Sequence, residues 1–342
     1  MPNETTNITD VIIPDVWLPY TIQRSVELSE FHRAGIIQQD AEFAALVDAE
    51  KGTIVNMPFW NDLTGTAEVI SPTNPLTTKK ITSAQDKAQI HNLGAAWGVH
   101  DLAKYFAGSD PAAAIADLVG GFWARDIQAR LLSSLKGVFA SSSMSSNVAH
   151  IYHTSGGAGS ASALHRFNAE SFIDAAQLMG DHKERLTAVA MHSAVHASIE
   201  KQGLIDTIPD DTGRPINYFR GLKIIIDDGM PTEVIDGDAV YTSYIFGVGA
   251  FGMGVGNNNP REQGMAPDST WQLEYARVAL SHISQMINRR RWILHPRGVE
   301  WTADTIAEDS GATFAELENA DNWNRVYDQK NIRMVEFKTN IL

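Results

Sequence analysis

Residues 110–140 read DPAAAIADLVGGFWARDIQARLLSSLKGVFA. Asp110 is placed to accept the first free backbone N–H groups of a helix, and Pro111 occupies the first helical position, where it forfeits no hydrogen bond. Ile115, Leu118, Val119, Phe122, Trp123, Ile127, Leu131, Leu135 and Val138 then recur mostly at three- and four-residue steps, the spacing of one buried helical face. At 1.5 Å per residue the helix spans roughly 45 Å, well above the globular mean. Gly120 and Gly121 interrupt it at about 1 kcal/mol each relative to Ala. They are expected to permit a bend or the close approach of another backbone. No catalytic motif falls on this helix.

Outward from the helix, the preceding sequence is thin in core-forming residues. Residues 1–52 read as an arm, with Val11 to Pro19 extended and Ile22, Val26 and Phe31 hinting at a short helix. The arm has too little to hold a core of its own, so it must lie on something else. Residues 53–99 follow as an extended β-hairpin loop. TIVNMPFW and TGTAEVI are β-branched and aromatic, Asn61-Asp62 and Gly65 supply turns, and KKITSAQDKAQIHNLGAAW is strand-like but polar on both faces. A ribbon with so little to bury is marginal alone, so it reads either as an ordinary surface hairpin or as an arm over a neighbouring subunit.

After the helix, SSSMSSNVAHIYHTSGGAGSAS (141–162) reads as a Ser/Gly-rich connector. From Asn168 the pattern is α/β: a helix in NAESFIDAAQLMGD, a buried strand in LTAVAMH, and a helix in SAVHASIEKQG ended by Gly203. Tyr218 to Pro231 reads as one strand, and AVYTSYIFGVGAFGMGVG as a β-hairpin interrupted by glycines. Trp271 to Thr302 reads as long strands, Thr305 to Leu317 as a short helix and NIRMVEFKTNIL as a last strand. No internal repeat is evident.

Composition narrows the function classes. The chain has 342 residues, 44% hydrophobic and 20% charged, which permits a packed core. Cysteine is absent, which excludes disulfides, thiolate metal sites and a cysteine nucleophile. The first residues carry acids and no basic leader, and no apolar run reaches membrane-spanning length, so a soluble, intracellularly made protein is expected. With 27 basic against 41 acidic residues the net charge is −14, the wrong balance for gripping phosphates.

The chemical motifs fail their context tests. Gly247-Val-Gly-Ala-Phe-Gly252 matches GxGxxG, but Pro260 and a run of asparagines follow where a dinucleotide site needs a helix. His192 and His196 lack the glutamate of a zinc-protease helix, position 193 being Ser, and His150 and His153 are better read as partly buried or surface histidines. Asp210-Asp211 and Asp227-Asp228 sit among Gly and Pro as turns. Arg289-Arg290-Arg291 in a strand would face alternately, which favours a solvated or interfacial role over a nucleic-acid patch. No catalytic, cofactor-binding or metal-ligating residue is expected, and no cofactor.

The order arm, ribbon, long helix, α/β domain and returning strands resembles the major capsid (coat) proteins of tailed bacteriophages, the Johnson fold, an α+β architecture. LTAVAMHSAVHASIEKQGLIDTIP followed by GRPINYFRGLKIIIDDGMP resembles the central part of one coat-protein group, where a helix after MHS precedes a strand ending in DDGMP. INRRRWILHPRGVEW resembles the late strands of that group. Organisation is similar from about Val11 to Trp301, and motifs at 186–231 and 287–301.

The resemblance implies an N-terminal arm at 1–52 and an extended loop at 53–99. A peripheral domain with its spine helix would occupy 100–144 and 263–342, and an axial domain 145–262. It implies a structural protein, not an enzyme, that self-assembles through pentamers and hexamers into an icosahedral virion shell enclosing double-stranded DNA without sequence-specific binding. A separate scaffolding protein is implied, because the chain begins almost at once with the arm. A portal and cement proteins are the other partners, with no membrane and with synthesis in the host cytoplasm. Lys79, Lys80 and Lys87 lie where some relatives cross-link, with surface lysine as the default. An encapsulin-like nanocompartment and an α/β enzyme are the alternatives.

Overall fold

The computed structural model describes residues 5–6, 31, 34–49, 53–70, 76–100, 111–153, 159, 162–209, 215–255, 271–277, 283–308 and 310–341. The extended stretch expected over Val11 to Pro19, the helix hinted at by Ile22 and Val26, the capping Asp110 and the Asp210-Asp211 turn lie outside them. The chain begins with β1 (Thr5–Thr6), β2 (Ile37–Gln39), α1 (Ala41–Ala49), β3 (Ile54–Trp60), β4 (Ser83–His100) and the long helix α2 (Pro111–Ala140). β5 (Val148–Ile151), α3 (Ala169–Gln177), β6 (Leu186–Met191), α4 (Ser193–Lys201), β7 (Asp206–Pro209), β8 (Pro215–Phe219) and β9 (Leu222–Ile226) come next. The rest is β10 (Thr232–Ile235), β11 (Asp238–Gly247), β12 (Phe251–Val255), β13 (Trp271–Arg277), β14 (Ile283–Pro296), β15 (Val299–Trp301), α5 (Phe314–Glu318), β16 (Trp323–Arg325) and β17 (Met334–Asn340).

Two large sheets hold all of these strands except β15 and β16, which pair with each other. The first runs β1-β4-β14-β12-β2, with β13 on β14 and β3 on β4. The second runs β5-β17-β11-β6-β9-β8-β7, with β10 on β11. The helix α2 is unbroken over 30 residues, as its spacing requires. Val119 and Trp123 pack against Leu93, Ala95 and Trp97 of β4, whereas Leu131, Leu135, Val138 and Phe139 enter a core shared with Tyr244, Phe246, Trp292 and Trp301. One helix therefore lies on the first sheet at its N-terminal half and joins both sheets at its C-terminal half.

Local signals place the smaller helices. Asn168 accepts from the N–H groups of Glu170 and Ser171 at 2.9 and 2.8 Å, opening α3 with a capping box. Gly203 takes φ +67 just after α4. Thr313 and Glu316 form a second capping box, which starts α5 at Phe314 rather than at Thr305 as expected. The single strand expected over Tyr218–Pro231 is instead β8, a tight turn and β9. Arg220 and Gly221 both have positive φ, 50 and 82, the geometry of a two-residue hairpin turn.

The glycine-rich hairpin expected at Ala239–Gly256 is not one. β11 belongs to the second sheet and β12 to the first, and the chain changes sheets at Gly249, φ +67. Gly252 and Gly254 leave a bare surface that Phe43 of α1 fills, with the Cδ2 of its ring 3.0 Å from where a Cβ on Gly252 would stand. The arm's residues 34–49 thus lie on the chain's own first sheet: β2 pairs parallel with β12, and Phe43 and Val47 pack with Val55, Ala88, Ile90 and Ile293. The Ser/Gly connector is also packed at its start. Ser141 donates to the Trp323 carbonyl at 2.8 Å, Arg325 N–H donates to the Ser143 hydroxyl at 2.9 Å, and Asn147 is wholly buried.

Candidate assembly surfaces

The ribbon carries the two most exposed large apolar side chains among the described residues, Val69 and Ile70. β3 pairs antiparallel with β4 from Ile54–Gln89 to Trp60–Ser83. Asn61 closes its far end, its N–H donating to the Thr82 carbonyl at 2.9 Å and its amide to the Thr82 hydroxyl at 3.0 Å. Beyond that pair the described residues 61–70 and 76–82 hold no strand. TGTAEVI is expected to be one, but it pairs with no strand among the described residues, and Gly65 turns at φ +111. Val69 and Ile70 are 95% and 82% exposed, and Trp60, Leu63, Leu76 and Ile81 are also exposed. Large apolar side chains gathered at one tip mark an interaction surface. Lys79 donates to the Thr66 carbonyl within this tip, and Lys80 is exposed.

At its root the ribbon is held by buried polar groups. Asp86 and His295 are 4% and 1% exposed, and His295 Nε2 stands 2.9 Å from Asp86 Oδ1. The other carboxylate oxygen of Asp86 accepts from Gly298 N–H at 3.1 Å. Phe59 meets the Tyr327 ring edge-on at 4.8 Å. Beside the root, His91 is fully buried against Trp292 at 5.3 Å between ring centroids. Burial first, then the charges of Arg130 and His295, lower its imidazole to about 3.

A second surface lies along the N-terminal half of α2. Leu118 and Phe122 are exposed on it, Phe122 set edge-on to Trp97 at 5.4 Å. A Cβ on Gly120 would meet nothing within 4 Å, and one on Gly121 only the tip of Arg125 at 3.5 Å. The close approach expected at these glycines does not occur among the described residues. It occurs at Gly137 instead, where a Cβ would stand 2.7 Å from Trp323 Nε1.

The two histidine pairs and the Asp227-Asp228 pair find partners within the chain. His192 caps α4 by accepting from Ala194 N–H at 3.1 Å, and His196 faces Asn217 at 3.4 Å, so the two do not converge on a ligand. His150 stands 3.5 Å from Glu336, while His153 meets the His165 ring at 5.2 Å. Asp227 accepts from Gly229 N–H at 2.8 Å and from the Gln128 amide at 2.7 Å, tying its turn to α2. Asp228 accepts from Ser193 N–H at 3.3 Å, and Ser193 holds its carboxyl below the usual range. Arg290 lies over the Trp123 ring at 5.0 Å, facing α2, and strand alternation puts Arg289 and Arg291 on the other face. Among the described residues no group of three or more His, Cys, Asp or Glu could hold a metal, and no helix is long and apolar enough to cross a membrane. Asp86 and His295 drew no attention in the sequence, because 209 positions separate them.

No protein-family model matches the chain. It is 41% identical over 336 residues to the major capsid protein of Bacillus phage SPP1, spanning 97% of this chain and 98% of that one. Among solved structures, the capsid of Ralstonia phage GP4 is similar at TM-score 0.63 and 8% identity, over 96% of both chains. A holo-encapsulin complex from Synechococcus elongatus PCC 7942 is similar at TM-score 0.55 and 11% identity, over 90% of this chain and 91% of that one. These two likenesses show the fold.

Proposed function

The chain belongs to the major capsid proteins of tailed bacteriophages, and from that premise we propose how its parts are used. It is a structural protein of the virion, not an enzyme, and assembles with copies of itself into the icosahedral head shell around phage double-stranded DNA. The observation that carries this is the 41% identity to a phage major capsid protein across nearly the full length of both chains. The encapsulin likeness, at 11% identity, extends to the fold alone.

In our reading the subunits form pentamers and hexamers, with 1–52 as the arm and 53–99 as the extended loop. Strand pairing supports redrawing the other two domains we expected. β12 sits in the first sheet and β17 in the second. The axial domain is therefore better taken as 145–249 with 329–341, and the peripheral domain as 100–144 with 250–328. The apolar ribbon tip seats on a neighbour, and the open face of α2 at Leu118, Gly120, Gly121 and Phe122 is the receiving surface. Apolar tip and apolar seat, both exposed in the single chain, support that match, because obligate interfaces bury such surface. The net charge of −14 leaves the enclosed DNA mobile rather than bound. A separate scaffolding protein, a portal and cement proteins complete the assembly, which begins in the host cytoplasm.

The test is electron microscopy of the chain co-expressed with the phage scaffolding and portal proteins. Closed shells walled by this chain are expected, and DNA-filled heads when packaging proteins are supplied. Persistent monomers under those conditions overturn the reading. Shells from infected cells that hold a protein cargo in place of DNA would favour the nanocompartment.

A further inference from the structure

Pairing between β4 and β14 ends at Ile90–Ile293. From Gln89 to Ser83, β4 has β3 as its only strand partner among the described residues. A two-stranded ribbon of this kind has no sheet to define its direction, and ribbons of two strands are marginal without an added support. Asp86 lies in this section, four residues past the last β14 pair. There its carboxylate takes over from the missing ladder: one oxygen is 2.9 Å from His295 Nε2, the other accepts from Gly298 N–H at 3.1 Å.

We infer that Asp86 is a positioning residue, which with His295 and Gly298 sets where the ribbon leaves the first sheet and the direction in which its tip points. The inference rests on the reading of the ribbon as the part that reaches a neighbour. Both partners of Asp86 belong to one rigid piece. His295 closes β14, and Gly298 turns the chain from β14 into β15 at φ +87. Gly298 has no room for a side chain, since a Cβ would stand 2.6 Å from the Tyr327 ring. That ring is also the one Phe59 of β3 meets edge-on at 4.8 Å. Arg297, in the same turn, donates to Asp40 at 3.0 Å just before α1, and Phe43 of α1 meets the His295 ring at 6.5 Å. The turn is therefore held from behind by α1 and in front by Tyr327, while Asp86 and Phe59 hold the ribbon to it. Past Phe59 most of the described side chains are exposed, so the direction of the ribbon is set at its root.

A buried Asp–His pair is an expensive way to stabilise a fold, because well-packed apolar residues of similar volume are often as stable. Its gain is directional: a carboxylate that accepts at two angles fixes orientation, where an apolar contact permits sliding. The predicted signature is loss of direction without loss of fold.

The chain has no cysteine, so spin labels can be introduced cleanly. Labels at Val69→Cys, on the tip, and Glu200→Cys, on exposed α4, report the ribbon's direction by electron–electron distance measurement. The measurement is made on unassembled full-length subunits and again on subunits diluted sparsely into shells. The parent should give one narrow distance peak. The apolar double variant Asp86→Leu with His295→Phe should lose that peak for a broad distribution, with circular dichroism and unfolding midpoint retained, and its shells should vary in size. If the double variant does not fold, Asp86→Asn, which keeps the shape and one acceptor, is measured instead and should broaden the peak partially. A narrow, unmoved peak in a folded variant overturns the inference. Failure of both parent and variant to form shells, with the peak behaving as described, counts against the neighbour-reaching ribbon and not against the positioning role.

Discussion

The carbonyl oxygen of Leu317 rests against the bare face of Gly137, inside the space a Cβ would occupy. Trp323 Nε1 fills the remaining side of that gap and donates to the same Leu317 carbonyl at 2.8 Å. Backbone and an indole fixed by a buried hydrogen bond cannot move aside cheaply, so Leu317 of α5 reaches the α2 backbone because Gly137 carries no side chain. Gly137→Ala is expected to lose about 3 kcal/mol of subunit stability, the upper range for overpacking a core. Urea unfolding of the unassembled subunit checks it, and a change below a few tenths of a kcal/mol would remove the account.

Gly120 and Gly121 are expected to behave in the opposite way. Open space surrounds Gly120, and only a flexible arginine tip approaches Gly121. Gly120→Ala and Gly121→Ala should each stabilise the free subunit by up to about 1 kcal/mol, the propensity difference in a helix interior. If a neighbour seats there, the same pair of changes lowers assembly yield even as it raises the unfolding midpoint. A rise in both would leave the glycines with no packing role in the shell.

The contrast between these glycines shows what was legible in the sequence. Local periodicity and capping gave α2, α3, α4, β6 and β17 close to their observed bounds, because helix faces and caps are written in near neighbours. Sheet membership is not. FGVGAFGMGVG reads as a hairpin by alternation, yet β11 and β12 part at Gly249, because Gly252 and Gly254 are shaped for Phe43, more than 200 positions earlier in the chain. TGTAEVI has strand residues but no partner strand among the described residues, and β propensity without pairing does not make a strand. The exposed apolar tip was legible as a ribbon too poor in core to stand alone. The Asp86–His295 pair was not, since nothing local distinguishes a buried aspartate in a polar strand from a solvated one.

Val69 and Ile70 touch little of their own subunit, so replacing both with Ser should shift its unfolding free energy by no more than about 0.5 kcal/mol. Shell formation should fall sharply, because the change strips apolar surface from the tip. Sedimentation of assembly reactions separates the two effects. Normal shells from the double Ser variant would show that the tip is not an interface.

His91 makes stability depend on pH, and the sign follows from its burial. Its imidazole is lowered to about 3 in the folded chain, by burial first and then by Arg130 and His295. In the unfolded chain it titrates near 6.5. Between those values the unfolded chain binds a proton that the folded chain does not, so stability falls as pH drops through the window and is level above it. From pH 7 to 4.5 the histidine accounts for a loss of about 2.5 kcal/mol. Carboxylates contribute their own slope over the same range, so the informative quantity is the difference between the parent and His91→Gln. The variant begins less stable at pH 7, since the ring's packing on Trp292 is lost, but its decline to pH 4.5 should be shallower by about that amount. Urea midpoints at the two pH values for both proteins give the comparison, and parallel declines would mean that His91 does not take up its proton on unfolding.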